Sequence, residues 1–207
     1  MFGYDLPPGE KWRQYELKAL GLREFAGVHS DAPLDPYALA GFAHLVIIEF
    51  HQIRDLSPQA RDHLLGPASE EWSGGACSMP LPDGRRIVIL NPNHSRARTN
   101  ATLMEEISHV FLGHRPSRLT IVAHDERGRT RHRDYRKADE EAAYATGAAA
   151  LVPFAALRSF VLTGKDIPAI AGHFRVSRSL VEYRLKVTHL WSTYKQLAAM
   201  NGSPGQR

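Results

Sequence analysis

The chain has 207 residues, 43% of them apolar and 23% charged, a balance that excludes wholesale disorder, collagen-like repeats and a coiled-coil rod. Its 26 basic and 22 acidic side chains leave a net charge of +4, mildly basic and by itself no signature of nucleic-acid binding. The single cysteine, Cys77, rules out an intramolecular disulfide framework and a multi-thiolate zinc site and fits a reducing compartment, while eleven histidines direct attention to metal or acid–base chemistry.

In chain order, Met1 to Glu10 carries Asp5 and two prolines and has no apolar core of a secretory signal, which predicts a cytoplasmic protein. Residues 1–33 read as a loosely attached arm with one short helix around Trp12–Leu20. Asp35-Pro36 supplies an N-cap and first turn for a helix to about Ala43. Leu45–Phe50 is an apolar run that predicts a buried strand. Ser57-Pro58 opens a short helix to Leu65, which Gly66-Pro67 ends. Ala76–Leu81 and Arg86–Leu90 predict a hairpin across Pro82-Asp83-Gly84. Ala97–Leu112 reads as one helix stopped by Gly113 and Pro116. Leu119–Ala123 and Thr130–Tyr135 are strand candidates, and Asp139–Leu151 is helical by its alanine content up to the break at Pro153. The apolar stretch Ala142–Leu157 falls short of the ~20 residues of a membrane helix, so no membrane association is expected. Asp166–Met200 reads as two or three helices. Mixed helices and hairpins without strict alternation predict an α+β fold.

The most informative stretch is Met104-Glu105-Glu106-Ile107-Ser108-His109. Glu105 and His109 are four apart and share a helix face, with Glu106 roughly 100° round from Glu105. A zinc-peptidase helix carries His-Glu-x-x-His, two histidines holding the metal and the glutamate activating water; here Glu105 stands in place of the first histidine. A carboxylate from Asp139-Glu140-Glu141, at the start of a helix of small residues able to approach closely, is able to complete a three-ligand site. The plainer alternative for both segments is a solvated acidic edge, since acidic residues favour the first turn of any helix.

Thr102-Leu103-Met104-Glu105-Glu106-Ile107-Ser108-His109-Val110-Phe111-Leu112-Gly113-His114 resembles the active-site helix of the ImmA/IrrE metallopeptidases. Glu140-x-x-Ala143 followed by Leu151-Val152-Pro153 resembles that family's second motif, and Arg86–Asn91 with Arg98-Thr99 resembles its approach to the helix. Ala171-x-x-Phe174-x-Val176-Ser177 with Arg184-Leu185 resembles its C-terminal segment, so the likeness spans about residues 35 to 190. The resemblance implies a zincin-like catalytic domain over residues 34–165, with the arm 1–33 before it and a helical, helix-turn-helix-like segment, 166–207, packed on it. It implies a cytoplasmic metal-dependent endopeptidase acting on a protein partner such as a helix-turn-helix transcriptional repressor. By position, Glu105, His109 and Glu140 match the metal ligands and Glu106 the catalytic base, with Glu141 as fallback third ligand. Zinc is the expected ion; two carboxylate ligands also suit Mn²⁺ or Fe²⁺. The replaced first histidine keeps a second reading open, a catalytically inactive regulatory or DNA-binding protein on the same fold.

Other features carry less. His114 lies roughly 140° beyond His109 on an ideal helix and is expected to face away, either as a polar residue at the helix end or, redirected by Gly113, as a substitute ligand. Arg127, Arg129, Arg131, Arg133, Arg136 and Lys137 form a basic row suited to an edge strand, a peptide or a nucleic acid. Ile167–Leu185 has a helix-turn-helix cadence with Ser177 as cap, yet Ser179–Tyr183 lacks the Asn or Gln that reads bases, so packing on the domain is favoured over DNA. Cys77 is expected to be a small buried residue.

Overall fold

The computed structural model describes residues 4–29, 31–77, 79–114 and 137–202. The strand candidates Leu119–Ala123 and Thr130–Tyr135, and the basic row from Arg127 to Arg136, lie outside the described residues.

The first helix, α1 (Glu10–Phe25), is longer than the sequence suggested and is not a loose arm. Its Ala19 and Leu22 join the core, and two of its charged residues, Glu16 and Arg23, are almost fully enclosed. Arg23 donates to the carbonyls of Ala150 and Ala32 at 2.7 Å each and to that of His29. The glycines and prolines around α1 thus mark turns of a packed segment.

Helix α2 (Pro36–Ala40) starts where Asp35 accepts the Tyr37 N–H, as the Asp-Pro pair predicts. Strand β1 (Leu45–Ile48) and helix α3 (Pro58–Leu65, capped by the Ser57 hydroxyl) also follow the sequence expectation. The hairpin is shifted: β2 (Gly74–Ala76) precedes the expected strand and pairs antiparallel with β3 (Arg86–Leu90), in the register Gly74↔Leu90. A Cβ at Gly74 would lie 2.9 Å from the Ile89 carbonyl, so the close approach of this strand depends on glycine. Because β2 stops at Ala76, Cys77 lies past the strand end and is exposed, not buried. β1 pairs parallel with β3, so among the described residues the sheet runs β1-β3-β2.

Helix α4 (Arg96–Phe111), capped by Ser95, lies against β2 and β3. It buries Leu103, Met104, Ile107 and Ser108, positions three to four apart, into the core. Helix α5 (Lys137–Leu151) packs its small-residue face closely on α4. At Gly147 an added Cβ would meet the Met104 carbonyl and the Ser108 hydroxyl at 3.2 Å each, so glycine sets the approach of the two helices. After Pro153 the chain bends by 53° into α6 (Phe154–Leu162). No single described helix is long and apolar enough to cross a membrane; α5 and α6 pass only as a bent pair, and the α5 alanines fill the core.

Helices α7 (Ile167–Phe174), α8 (Arg178–Val187) and α9 (Trp191–Gly202) complete an α+β architecture. Asp166 and Ser177 cap α7 and α8, and Arg175 turns the chain in a left-handed conformation at φ +56°. Arg184 of α8 is 2% exposed: its Nε donates to the Val152 carbonyl at 2.9 Å, and its guanidinium pairs with Glu16 of α1. Glu16 also accepts the Phe154 N–H at 2.6 Å. Ends of the chain far apart in sequence are therefore tied at one buried point, beside the α5–α6 break.

Candidate metal centre

Helix α4 buries Leu103, Met104, Ile107 and Ser108 against the core and α5, and Glu105 and His109, each one position on from Met104 and Ser108, lie about 100° round at the margin of that contact. Glu140 sits in the first turn of α5 and meets them. One donor atom from each of Glu105, His109 and Glu140 lies within 4.8 Å of both others. His109 Nε2 stands 3.5 Å from Glu140 Oε2. Donors bound about 2.0–2.2 Å from one ion at tetrahedral angles lie roughly 3.3–3.6 Å apart, so this separation suits two ligands of a common cation.

The electrostatics of the cluster are unbalanced. Burial pushes the Glu105 carboxyl up to about 7, and Glu106 and Glu140 push in the same direction. Burial and Glu140 also raise Glu106, against an opposing hydrogen bond from the Ala76 N–H. Burial pushes the His109 imidazole down, while Glu140 draws it up. Among the described residues, three carboxylates thus share a half-buried space with the His109 imidazole, and the charged groups among them that act on Glu105 are both carboxylates. A divalent cation supplies the charge this donor set lacks, so the residues fit one.

Glu106 faces a different element from its two neighbours on the helix. β2 bonds to β3 through the Cys77 N–H to the Ile87 carbonyl at 2.7 Å and through the Asn91 N–H to the Ser73 carbonyl at 3.0 Å. The Ala76 N–H, one residue out of phase, points away from β3, and Glu106 accepts it. The carboxylate is thereby held beside β2, on the side away from β3.

The family model described as the IrrE N-terminal-like domain, of the M78 peptidases, matches residues 66–186. The chain belongs to this family. The matched stretch of the M78 domain contains β2, β3 and α4 through nearly all of α8, with every residue of the cluster. The family is one of metal-dependent peptidases. No curated protein matches the chain. Among solved structures, a Mycobacterium tuberculosis transcriptional regulator is similar at 12% identity and a TM-score of 0.48, over 83% of this chain and 46% of that one. The chain therefore spans about half the length of that protein.

The remaining sequence expectations divide. Glu141, the fallback ligand, turns outward and pairs with Lys11 of α1. His114 does not face away. Gly113 adopts φ +70° and the helix ends in a Schellman turn, with His114 N–H bonded to the His109 carbonyl at 2.9 Å and Gly113 N–H to that of Val110 at 3.0 Å. This brings His114 Nδ1 to 3.1 Å from His109 Nδ1. Of the basic residues on α8, Arg178 and Lys186 are exposed but Arg184 is enclosed, so this helix packs on the domain. Sequence reasoning missed Tyr144, one turn past Glu140, whose hydroxyl is pushed up by burial and by Glu105, and whose ring meets Tyr183 edge-on at 5.0 Å. Its i+4 spacing from Glu140 was the available signal.

Proposed function

We propose that the protein is a cytoplasmic endopeptidase that holds a divalent cation, zinc in the first instance, through Glu105, His109 and Glu140, and uses Glu106 as its base. The observation that carries the reading is the convergence of three ligand-type donors within 4.8 Å, beside a carboxylate held on the side of β2 that faces away from β3. When bound, the cation supplies Lewis acidity that acidifies a water and polarises the scissile carbonyl.

The chain's own residues do the rest. The outward backbone groups of β2 offer an extended substrate the hydrogen bonds of one more strand. A peptide lying there passes Glu106, which takes the proton of the attacking water and delivers it to the leaving amine. Burial keeps the Glu106 proton affinity above that of an ordinary glutamate, as a group that must accept and then return a proton requires. A carboxylate at Glu105 in place of imidazole adds negative charge, weakens the Lewis acid and shifts preference toward Mn²⁺ or Fe²⁺. The partner is a protein, and a helix-turn-helix transcriptional regulator fits the family resemblance.

A second reading, a non-catalytic regulator on the same fold, rests on that same replacement at Glu105. Elemental analysis separates the two. The expected result is about one divalent ion per chain after incubation with zinc, manganese or iron(II), lost in Glu105→Gln, whereas Glu106→Gln keeps the ion and loses peptide cleavage. A wild-type chain that takes up none of the three ions overturns the peptidase reading.

A further inference from the structure

We infer that His114 is a positioning residue for the metal centre: its imidazole accepts the Nδ1 proton of His109, fixing the ring so that Nε2 presents its lone pair to the cation. The inference rests on the metallopeptidase reading above and deepens it.

The geometry begins at the end of α4. An ideal helix would carry His114 away from His109, but the left-handed turn at Gly113 reverses the chain. The resulting fold-back is fixed by the two backbone bonds of the Schellman turn, including one from His114 to His109 itself. The rings then meet edge to face, with centroids 5.1 Å apart and planes at 70°, and the two Nδ1 atoms 3.1 Å apart.

The tautomers follow from the partners. His109 Nε2 faces Glu140 at 3.5 Å, within the ligand cluster. A ring that gives its Nε2 lone pair to a cation carries its proton on Nδ1. That proton points at His114 Nδ1, which must then be the unprotonated nitrogen of its ring. The His114 proton accordingly sits on Nε2, which lies 3.9 Å from Asp139 Oδ1 at the start of α5. One proton per ring serves the whole row. Asp139 and Glu140 are adjacent on α5, so the same helix turn that carries a ligand also faces the far end of the row that orients another. His114 touches the ligand and not the cation, and its side chain is only 14% exposed, which limits competition from water.

Zinc titration against a competing chelator, using wild type, His114→Ala and His114→Asn, tests this. The amide oxygen of Asn stands where Nδ1 stands in His. Loss of an outer partner of this kind typically lowers metal affinity about 10–100-fold, and that loss is expected for His114→Ala, with His114→Asn within about threefold of wild type. Melting temperatures of the metal-free variants report folding separately. In the zinc-loaded wild type, long-range ¹⁵N spectra of the histidines are expected to show His109 protonated at Nδ1 and bound through Nε2, with His114 protonated at Nε2. This readout needs no variant to fold. Unchanged affinity in His114→Ala, equal weakening in His114→Asn, or a metal-bound nitrogen on His114 overturns the inference alone. A wild-type chain that binds no zinc, manganese or iron(II) overturns the peptidase reading and this inference with it.

Discussion

Two clusters of buried charge among the described residues are built differently. At the junction of α1, α6 and α8, Glu16 and Arg184 are each at most 2% exposed, and their polar atoms meet each other, the Phe154 N–H and the Val152 carbonyl. Between α4 and α5, Glu105, Glu106 and Glu140 lie together, the charged groups among the described residues that act on Glu105 are both carboxylates, and that carboxyl is pushed up to about 7. The first cluster is complete within the chain and serves to hold elements together. The second carries an excess of carboxylates among the described residues, which marks a candidate binding site rather than a structural ion pair.

The largest effect is expected where the balanced pair is broken. Glu16→Ala leaves Arg184 buried without its counter-charge, a change that typically costs about 3–5 kcal/mol. Urea unfolding at neutral pH measures it. The double change Glu16→Leu with Arg184→Met is expected to recover most of the loss, because no charge then remains stranded. A single variant as stable as wild type would show that water reaches the pair and that the tie between the chain ends is weak.

The unbalanced cluster responds to pH instead. With a folded pKa of about 7 against 4.5 for an ordinary glutamate, the folded metal-free protein binds the Glu105 proton more tightly than the unfolded chain. This contribution is fully present below pH 4.5 and is lost as pH rises through 7. At about 1.4 kcal/mol per unit, the loss is on the order of 3–4 kcal/mol. Glu106 acts in the same direction, while the lowered His109 opposes it. The Glu105 share is therefore the difference in pH dependence between wild type and Glu105→Gln, both stripped of metal. The variant is expected to be the more stable of the two at pH 8 and equal at pH 4. Saturating zinc is expected to reverse the order at pH 8, because the ion stabilises only the chain that binds it. Equal slopes for the two metal-free proteins would mean that Glu105 is solvated and the cluster less enclosed than its geometry indicates.

The contrast also explains what could be read from the sequence. The helical spacing of Glu105 and His109 placed them on one face, because α4 is a regular helix over that span. Glu140 was reachable through its place at the head of an alanine-rich helix and through the family resemblance. His114 faces away only if the helix runs on through Gly113; the helix ends there, so the redirected alternative is the one observed. Glu16 and Arg184 were illegible as a pair: they are 168 positions apart, and nothing local marks a charged residue as buried. The same holds for Arg23, whose three carbonyl partners come from loop and helix ends. The position of β2 was set by tertiary contact, since a close approach at Gly74 and pairing with Leu90 outweighed the better strand formers that follow.

The smallest expected effect falls on the carboxylate next to the cluster. Glu141 is adjacent to Glu140 but faces Lys11 of α1, with both side chains largely in solvent. Exposed pairs contribute little, being screened and entropically loose. Glu141→Gln is thus expected to leave the melting temperature within about 1 °C of wild type and zinc affinity within about twofold. Glu140→Gln, one residue earlier, is expected to lower zinc affinity at least about 100-fold, as loss of a direct ligand exceeds loss of an outer partner. The two variants remove the same chemical group from consecutive positions of one helix, so any difference between them measures direction alone. Comparable losses in both would place the cation nearer the mouth of the site, between α1 and α5, and Lys11 would then be the competing charge that it displaces.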